Sequence, residues 1–237
     1  MKPFRFKKFT VNQSEKVFRV GTDAVLLGVL SSVENYKNIL EAGTGTGVVS
    51  LMLSQRNPDA EILALDINEE AVNLAAENFK NSVFHERLKA IHQDFKNFEP
   101  ERKFDLVISN PPYFEKNNSE KDVLARQQTE LSFENLIKKS EEVLSDFGLF
   151  SVIIPYENGD YFEKKCFDNK LFLCNKITIF GIKNSTPKRL ILEFGFQQKE
   201  IRESELVIED SPRKFSEEYL ELTKDFHWFG KEKASSK

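Results

Sequence analysis

The chain has 237 residues, 40% of them hydrophobic and 30% charged, with a net charge of −4. That length and composition suit one large α/β domain of a soluble globular protein. They exclude a membrane span, since no apolar run approaches the ~20 residues required, and they argue against indiscriminate nucleic-acid binding.

The N-terminal segment departs from the overall balance. Lys2, Arg5, Lys7, Lys8, Lys16 and Arg19 stand against a single acid, Glu15. It lacks the continuous apolar region of a secretory signal. Such an arm is either a solvated, frayed end or a confined basic surface. Further on, the cysteines are only Cys166 and Cys174, which make neither a zinc ribbon nor a disulfide framework. A reduced, cytoplasmic protein without a metal is expected.

From about residue 38 to 155, NILEAG, EILALDI, LKAIHQD, FDLVISN and GLFSVIIP are short apolar runs of the kind that form strands buried on both faces. Between them VVSLMLSQR, NEEAVNLAAENFKN and FENLIKKSEEVLS are helical. Asn68 suits the cap of the second, with Glu69 and Glu70 in its first turn. Ser132 suits the cap of the third, where Leu136, Ile137, Val143 and Leu144 share one face. Strand and helix in alternation predict a parallel sheet wound on both sides. Beyond residue 155, LFLCNKITIFG and RLILEFGFQQ are joined by IKNSTPK, too short for a crossover helix, so they should pair antiparallel. A short helix, SEEYLELTKDF, follows. With no repeat and no long linker, one domain over residues 1–230 is expected, with a basic arm at 1–19 and a disordered polar tail at 231–237.

The chemistry gathers at the strand ends. EAGTGTG, from Glu41 to Gly47, joins the first core strand to its helix, and its alternate glycines let the backbone turn tightly against a ligand. It is not a P-loop, since no Lys-Ser/Thr follows, and it lacks the dinucleotide spacing. Asp66 closes the second strand, where a doubly wound fold places a carboxylate for a ribose. Asp94 of HQDF ends the third. SNPPYF ends the fourth, and its two prolines fix the backbone and offer no donor. The glycines, Asp66, Asp94 and Asn110 thus share the carboxyl edge, where open α/β sheets bind ligands.

In this order the motifs resemble the class I methyltransferases that use S-adenosylmethionine. The resemblance implies a Rossmann-like fold with a mostly parallel, seven-stranded sheet ending in an antiparallel hairpin. It places Glu41, Gly43, Thr44, Gly45 and Gly47 under the methionine part of the cofactor, and Asp66 on the ribose hydroxyls. It places Asp94 on the adenine amino group, with Phe95 or Ile67 against the ring. N-P-P-Y implies methyl transfer to a nitrogen of planar character: adenine N6, guanine N2 or a glutamine amide. Asn110 and the Pro111 carbonyl would accept the N–H groups and stabilise the charge that develops. Tyr113 would stack on the substrate, and Phe114 would wall the pocket.

FRFKKFTVNQ, FRVGTDAVLLG and YLELTKDF carry a narrower resemblance, to the bacterial tRNA adenine-N6 methyltransferases that modify the adenosine next to the anticodon of a valine tRNA. It implies cofactor contacts from Thr22 and Asp23. ARQQTELSFENL also resembles that family, although Gln127 stands where a His is common, and Glu41 stands for the usual Asp. Lys7, Lys8, Lys188 and Arg189 are expected to meet the phosphates of an anticodon stem-loop, and the protein is expected to be a monomer. Two alternatives keep the chemistry: N5-glutamine methylation of a release factor, and guanine-N2 methylation of ribosomal RNA. The first normally carries a long helical domain before the glycine motif. A non-catalytic module would have lost the glycines or Asn110, and a nicotinamide oxidoreductase suits neither motif.

Overall fold

The computed structural model of the chain describes residues 1–112 and 131–228. Tyr113, Phe114 and Gln127, and the tail at 231–237, lie outside the described residues.

The N-terminal arm is a small antiparallel hairpin, β1 (Phe4–Arg5) with β2 (Thr10–Val11). Its basic residues alternate with apolar ones, and several of these are buried: Phe6, Phe9, Val11 and Val17 are all at most 8% exposed. Phe6 stacks on Phe9 and on His227, and Lys7 N donates to Phe226 O at 2.9 Å. The arm is therefore not a frayed end. VGTDAVLLG follows as a helix, α1 (Thr22–Leu30), with Ala24 to Val29 buried.

The core strands and helices then alternate: β3 (Asn38–Ala42), α2 (Val48–Arg56), β4 (Glu61–Asp66), α3 (Glu69–Lys80), β5 (Leu88–His92), β6 (Phe104–Ser109), α4 (Phe133–Val143), β7 (Leu144–Pro155) and α5 (Gly159–Asp168). Asn68 and Ser132 cap α3 and α4 as expected, accepting from Glu70 N and Asn135 N. The hairpin β8 (Phe172–Ile182) and β9 (Pro187–Gly195) is antiparallel, with β9 also antiparallel to β7. Beyond the seven expected strands, β10 (Arg202–Ser211) adds parallel to β8, followed by the short β11 (Lys214–Phe215) and then α6 (Glu217–Thr223). Within β10 only Leu206 is buried, as suits a strand near the sheet edge.

The strand order β5-β4-β3-β6-β7-β9-β8-β10-β11 reverses direction between β3 and β6. That reversal is the switch point at which open sheets bind ligands. Adjacent strand residues point to opposite faces. Ile39 joins the apolar cluster of α1, α2, α3 and the arm, and Leu40 the one of α4 and α5. Phe150, Phe162 and Phe194 meet in the second cluster with ring centroids about 6 Å apart, so part of the abundant phenylalanine builds the core.

Candidate active site

The turn after β3 is held from behind by side chains of the protein. Gly43, Gly45 and Gly47 have φ of 79°, 54° and 79°, the left-handed region that favours glycine. A Cβ on Gly43 or Gly45 would meet nothing within 4 Å, so the turn presents bare backbone to open space. At Gly47 a Cβ would lie 2.5 Å from Phe79 Cε1, so that glycine serves the packing of α3. Glu41 is 3% exposed, and its Oε2 accepts from Thr44 Oγ1 at 2.8 Å and from Ser50 Oγ. Burial pushes its carboxyl up to about 7 despite those donors, with Asp66 adding in the same direction. Glu41, expected as a cofactor contact, thus joins the turn at Thr44 to α2 at Ser50 through its Oε2. Asn78 was not singled out by sequence. Its Nδ2 donates to Thr46 O at 2.9 Å and to Asn12 O at 3.1 Å, while its Oδ1 accepts from Asn12 N. One buried amide therefore fastens the arm to the glycine turn.

Asp66 ends β4 beside this turn. Its Oδ2 accepts from Gly45 N and its Oδ1 from Asn68 N, each at 2.9 Å. Each oxygen retains further acceptor capacity for a hydroxyl. Ile67 is 53% exposed, and His92 Nε2 meets its carbonyl at 2.9 Å. Phe95 is 4% exposed and belongs to the core with Leu65, so of the two expected ring contacts Ile67 has the accessible face. Asp94 caps a short 3-10 turn, accepting from Lys96 N and from Asn97 Nδ2 at 3.2 Å.

Across the switch point, Ser109 Oγ donates to Ala42 O at 2.8 Å, which ties the end of β6 to the end of β3. Asn110 and the buried Pro111 follow at once. The sheet order therefore sets Asn110, the glycine turn, Asp66 and Asp94 side by side at the ends of β6, β3, β4 and β5. Thr22 opens α1 and is exposed. Asp23 Oδ2 pairs with Arg189 Nε at 2.8 Å, and Arg189 lies opposite Pro155 at the carboxyl end of β7. Two residues expected in different roles, one for cofactor and one for RNA, are thus partners. Lys188 is exposed beside them. Lys8 is exposed on the arm, and Lys7 Nζ sits 5.3 Å from the ring centroid of Trp228. Among the described residues no group of three or more His, Cys, Asp or Glu is arranged to hold a metal, and no helix is long and apolar enough to cross a membrane.

Residues 9–161 match the family model of the methyltransferase small domain. The chain is 57% identical over 230 residues to the tRNA1(Val) (adenine(37)-N6)-methyltransferase of Flavobacteriaceae bacterium (strain 3519-10), covering 97% of this chain and 100% of that one. It is 38% identical to the protein of the same name from Bacteroides thetaiotaomicron, with 94% and 96% covered, and 36% identical to that of Haemophilus influenzae, with 96% and 99% covered. Among solved structures, a predicted O-methyltransferase of Agrobacterium tumefaciens superposes with a TM-score of 0.69 at 18% identity, covering 86% of this chain and 96% of that one. At that identity the likeness is one of fold, the Rossmann-like methyltransferase architecture.

Proposed function

The chain belongs to the family of the tRNA1(Val) (adenine(37)-N6)-methyltransferases, and on that premise we propose that it methylates the N6 amino group of the adenosine next to the anticodon of a valine tRNA. The observation that carries the chemistry is the adjacency of Asn110–Pro111 and the glycine turn across the switch point, locked by Ser109 on Ala42.

The cofactor is S-adenosylmethionine, and the residues present fit it. Gly43 and Gly45 leave the space that a side chain would fill, Asp66 retains acceptor capacity, and Ile67 offers an apolar face. In this reading the turn from Gly43 to Gly47 holds the methionine part, Asp66 the ribose and Asp94 the adenine amino group. When bound, the cofactor supplies a methyl group on a sulfonium. The protein's part is to make a poor nucleophile attack. The adenine amino lone pair is delocalised into the ring, so positive charge appears on the nitrogen as it reacts. The Asn110 side-chain oxygen and the Pro111 carbonyl each accept one N–H, and their dipoles stabilise that charge. The prolines pre-set these acceptors, so little reorganisation accompanies the reaction. Alignment of the reacting groups at ~3 Å supplies the rest.

Two separate segments, Lys7 with Lys8 on the arm and Lys188 with the Arg189 held by Asp23, are the basic surfaces that an acidic protein offers to RNA phosphates. A monomeric, cytoplasmic enzyme of a single domain completes the reading. Removing residues 1–8 would also remove the buried Phe6, so charge substitution rather than truncation isolates the contribution of the basic residues. The experiment is methylation of total tRNA from a strain lacking this protein, followed by nucleoside analysis of purified valine tRNA. N6-methyladenosine at the position after the anticodon is the expected product. Methylation of a release factor, or of guanine in ribosomal RNA, with none in tRNA would overturn the proposal.

A further inference from the structure

Phe18 is the most exposed of the large apolar side chains among the described residues, at 84%. Its loop is nevertheless firmly built. Val17 beside it is buried, and the Gln13 side chain braces the loop, with Oε1 accepting from Val20 N at 3.1 Å and Nε2 donating to Lys2 O at 3.0 Å. Lys16 O accepts from Asn68 Nδ2 at 3.4 Å, and Lys16 Nζ pairs with Glu70. Asn68 in turn donates its N–H to Asp66. At the other end, the segment enters α1, where Asp23 holds Arg189 at the start of β9.

Residues 16–23 are therefore fastened beside the end of β4 at one side and beside the start of β9 at the other. Between those strands lie β3, β6 and β7, four spacings of ~4.8 Å or about 19 Å in all. Seven residue steps reach at most ~25 Å. The segment crosses the switch point, and Phe18 stands on it between Lys16 and the exposed Arg19. Phe147, almost as exposed at 81%, makes the contrast: it lies near the start of β7, at the opposite edge of the sheet, next to the acid Asp146.

A planar apolar ring on a braced loop, flanked by cations, at the mouth of the site, has the chemistry of a nucleobase platform. Resting on the RNA reading above, we propose that Phe18 stacks against an unpaired base of the RNA substrate, a neighbour of the adenosine turned into the pocket. Extruding that adenosine breaks stacking in the loop, and Phe18 replaces a stacking partner that its neighbour loses.

The test is steady-state methylation of transcribed valine tRNA by Phe18→Ala, Phe18→Leu and Phe18→Trp proteins, with cofactor affinity measured by calorimetry. Phe18→Ala should raise KM for tRNA about tenfold or more, the scale of one lost base–aromatic stack, with cofactor affinity unchanged. Phe18→Leu should stay impaired because it is apolar without a planar face, and Phe18→Trp should restore KM. The Phe18→Trp protein should also gain fluorescence that an anticodon stem-loop RNA quenches, beyond any change in wild type. Leu equal to wild type would make Phe18 a simple apolar contact, and lost cofactor affinity in Phe18→Ala would make it a cover for the cofactor. Either overturns the platform. Quenching needs no turnover, so its absence counts against Phe18 whether or not tRNA is the methylated substrate.

Discussion

The two sides of the switch point are made rigid by different means. On the cofactor side the backbone is folded onto carboxylates: Gly45 N and Asn68 N onto Asp66, Thr44 and Ser50 hydroxyls onto Glu41. On the acceptor side two proline rings fix the chain covalently, and one hydroxyl, Ser109, ties it to β3. The groups proposed to bind the cofactor on the first side are thus also the struts of their own loop. On the second, Asn110 follows the tie at Ser109 and precedes the prolines, so the backbone that carries it is fixed from both sides.

The largest effect should come from Asn110→Ala. Turnover should fall about a hundredfold or more, as for one oriented polar group at a reacting centre, while cofactor affinity stays. Single-turnover rates beside calorimetry would show it. Equal losses in both would place Asn110 on the cofactor and erase the contrast. Asp66→Ala should give the opposite pattern. Cofactor affinity should weaken by roughly 1.5–3 kcal/mol, the value of charge-assisted hydrogen bonds, and the ligand-free protein should also melt lower because Gly45 and Asn68 lose their acceptor. A melting temperature identical to wild type would mean that the strut is dispensable.

Gly47→Ala tests the packing behind the turn. With φ at 79° and the new Cβ 2.5 Å from Phe79, it should cost about 1–3 kcal/mol in denaturant unfolding, part of it recovered by trimming Phe79 to Leu. Failure of the second change to help would leave the backbone conformation as the whole cost. The last effect is a slope. Glu41 binds its proton more tightly folded than unfolded, with its carboxyl raised from 4.5 to about 7. The stability it contributes below pH 4.5 is therefore lost as pH rises through about 7. Glu41→Gln keeps an acceptor for the hydroxyls without the charge and should flatten that decline in melting temperature between pH 5 and 8. An unchanged slope would assign the decline to other groups.

Sequence alone was informative wherever an element buries itself on two faces or repeats a motif. VVSLMLSQR is α2 to the residue, and the caps at Asn68 and Ser132 are where side-chain chemistry puts them. The order of the site along the strand ends was legible for the same reason, because strand-end position follows from strand identity. β10 was not legible: RESELVIEDS is a charged stretch near an edge, and one buried leucine makes no pattern. The arm misled in a different way, since its lysines drew attention from the phenylalanines between them. Glu193 left a signal that could have been used. A single acid inside RLILEF must be satisfied if buried; it is 0% exposed and accepts from Ser32 N, Ser32 Oγ and Asn175 Nδ2 at 2.7–3.0 Å. Partner choice of that kind is tertiary and has no local trace.

The arm's seat against Phe226 and His227 sets an order of events during synthesis. Phe6 and Phe9 are made long before Phe226 and His227, yet Phe6 packs on His227 and Lys7 N waits for the carbonyl of Phe226. At ~5–20 residues per second on the ribosome, those early side chains stay without their final neighbours for roughly 10–45 s. The sheet around the switch point can assemble from residues 38–155 in that interval. The seat of Phe6 on His227 and of Lys7 N on Phe226 closes last, whereas the Asn12–Asn78 link to the glycine turn joins residues made early. A nascent chain halted before Phe226 would have the Asn12–Asn78 link but not the final seat of the arm, so the last residues of the fold settle the position of its first hairpin.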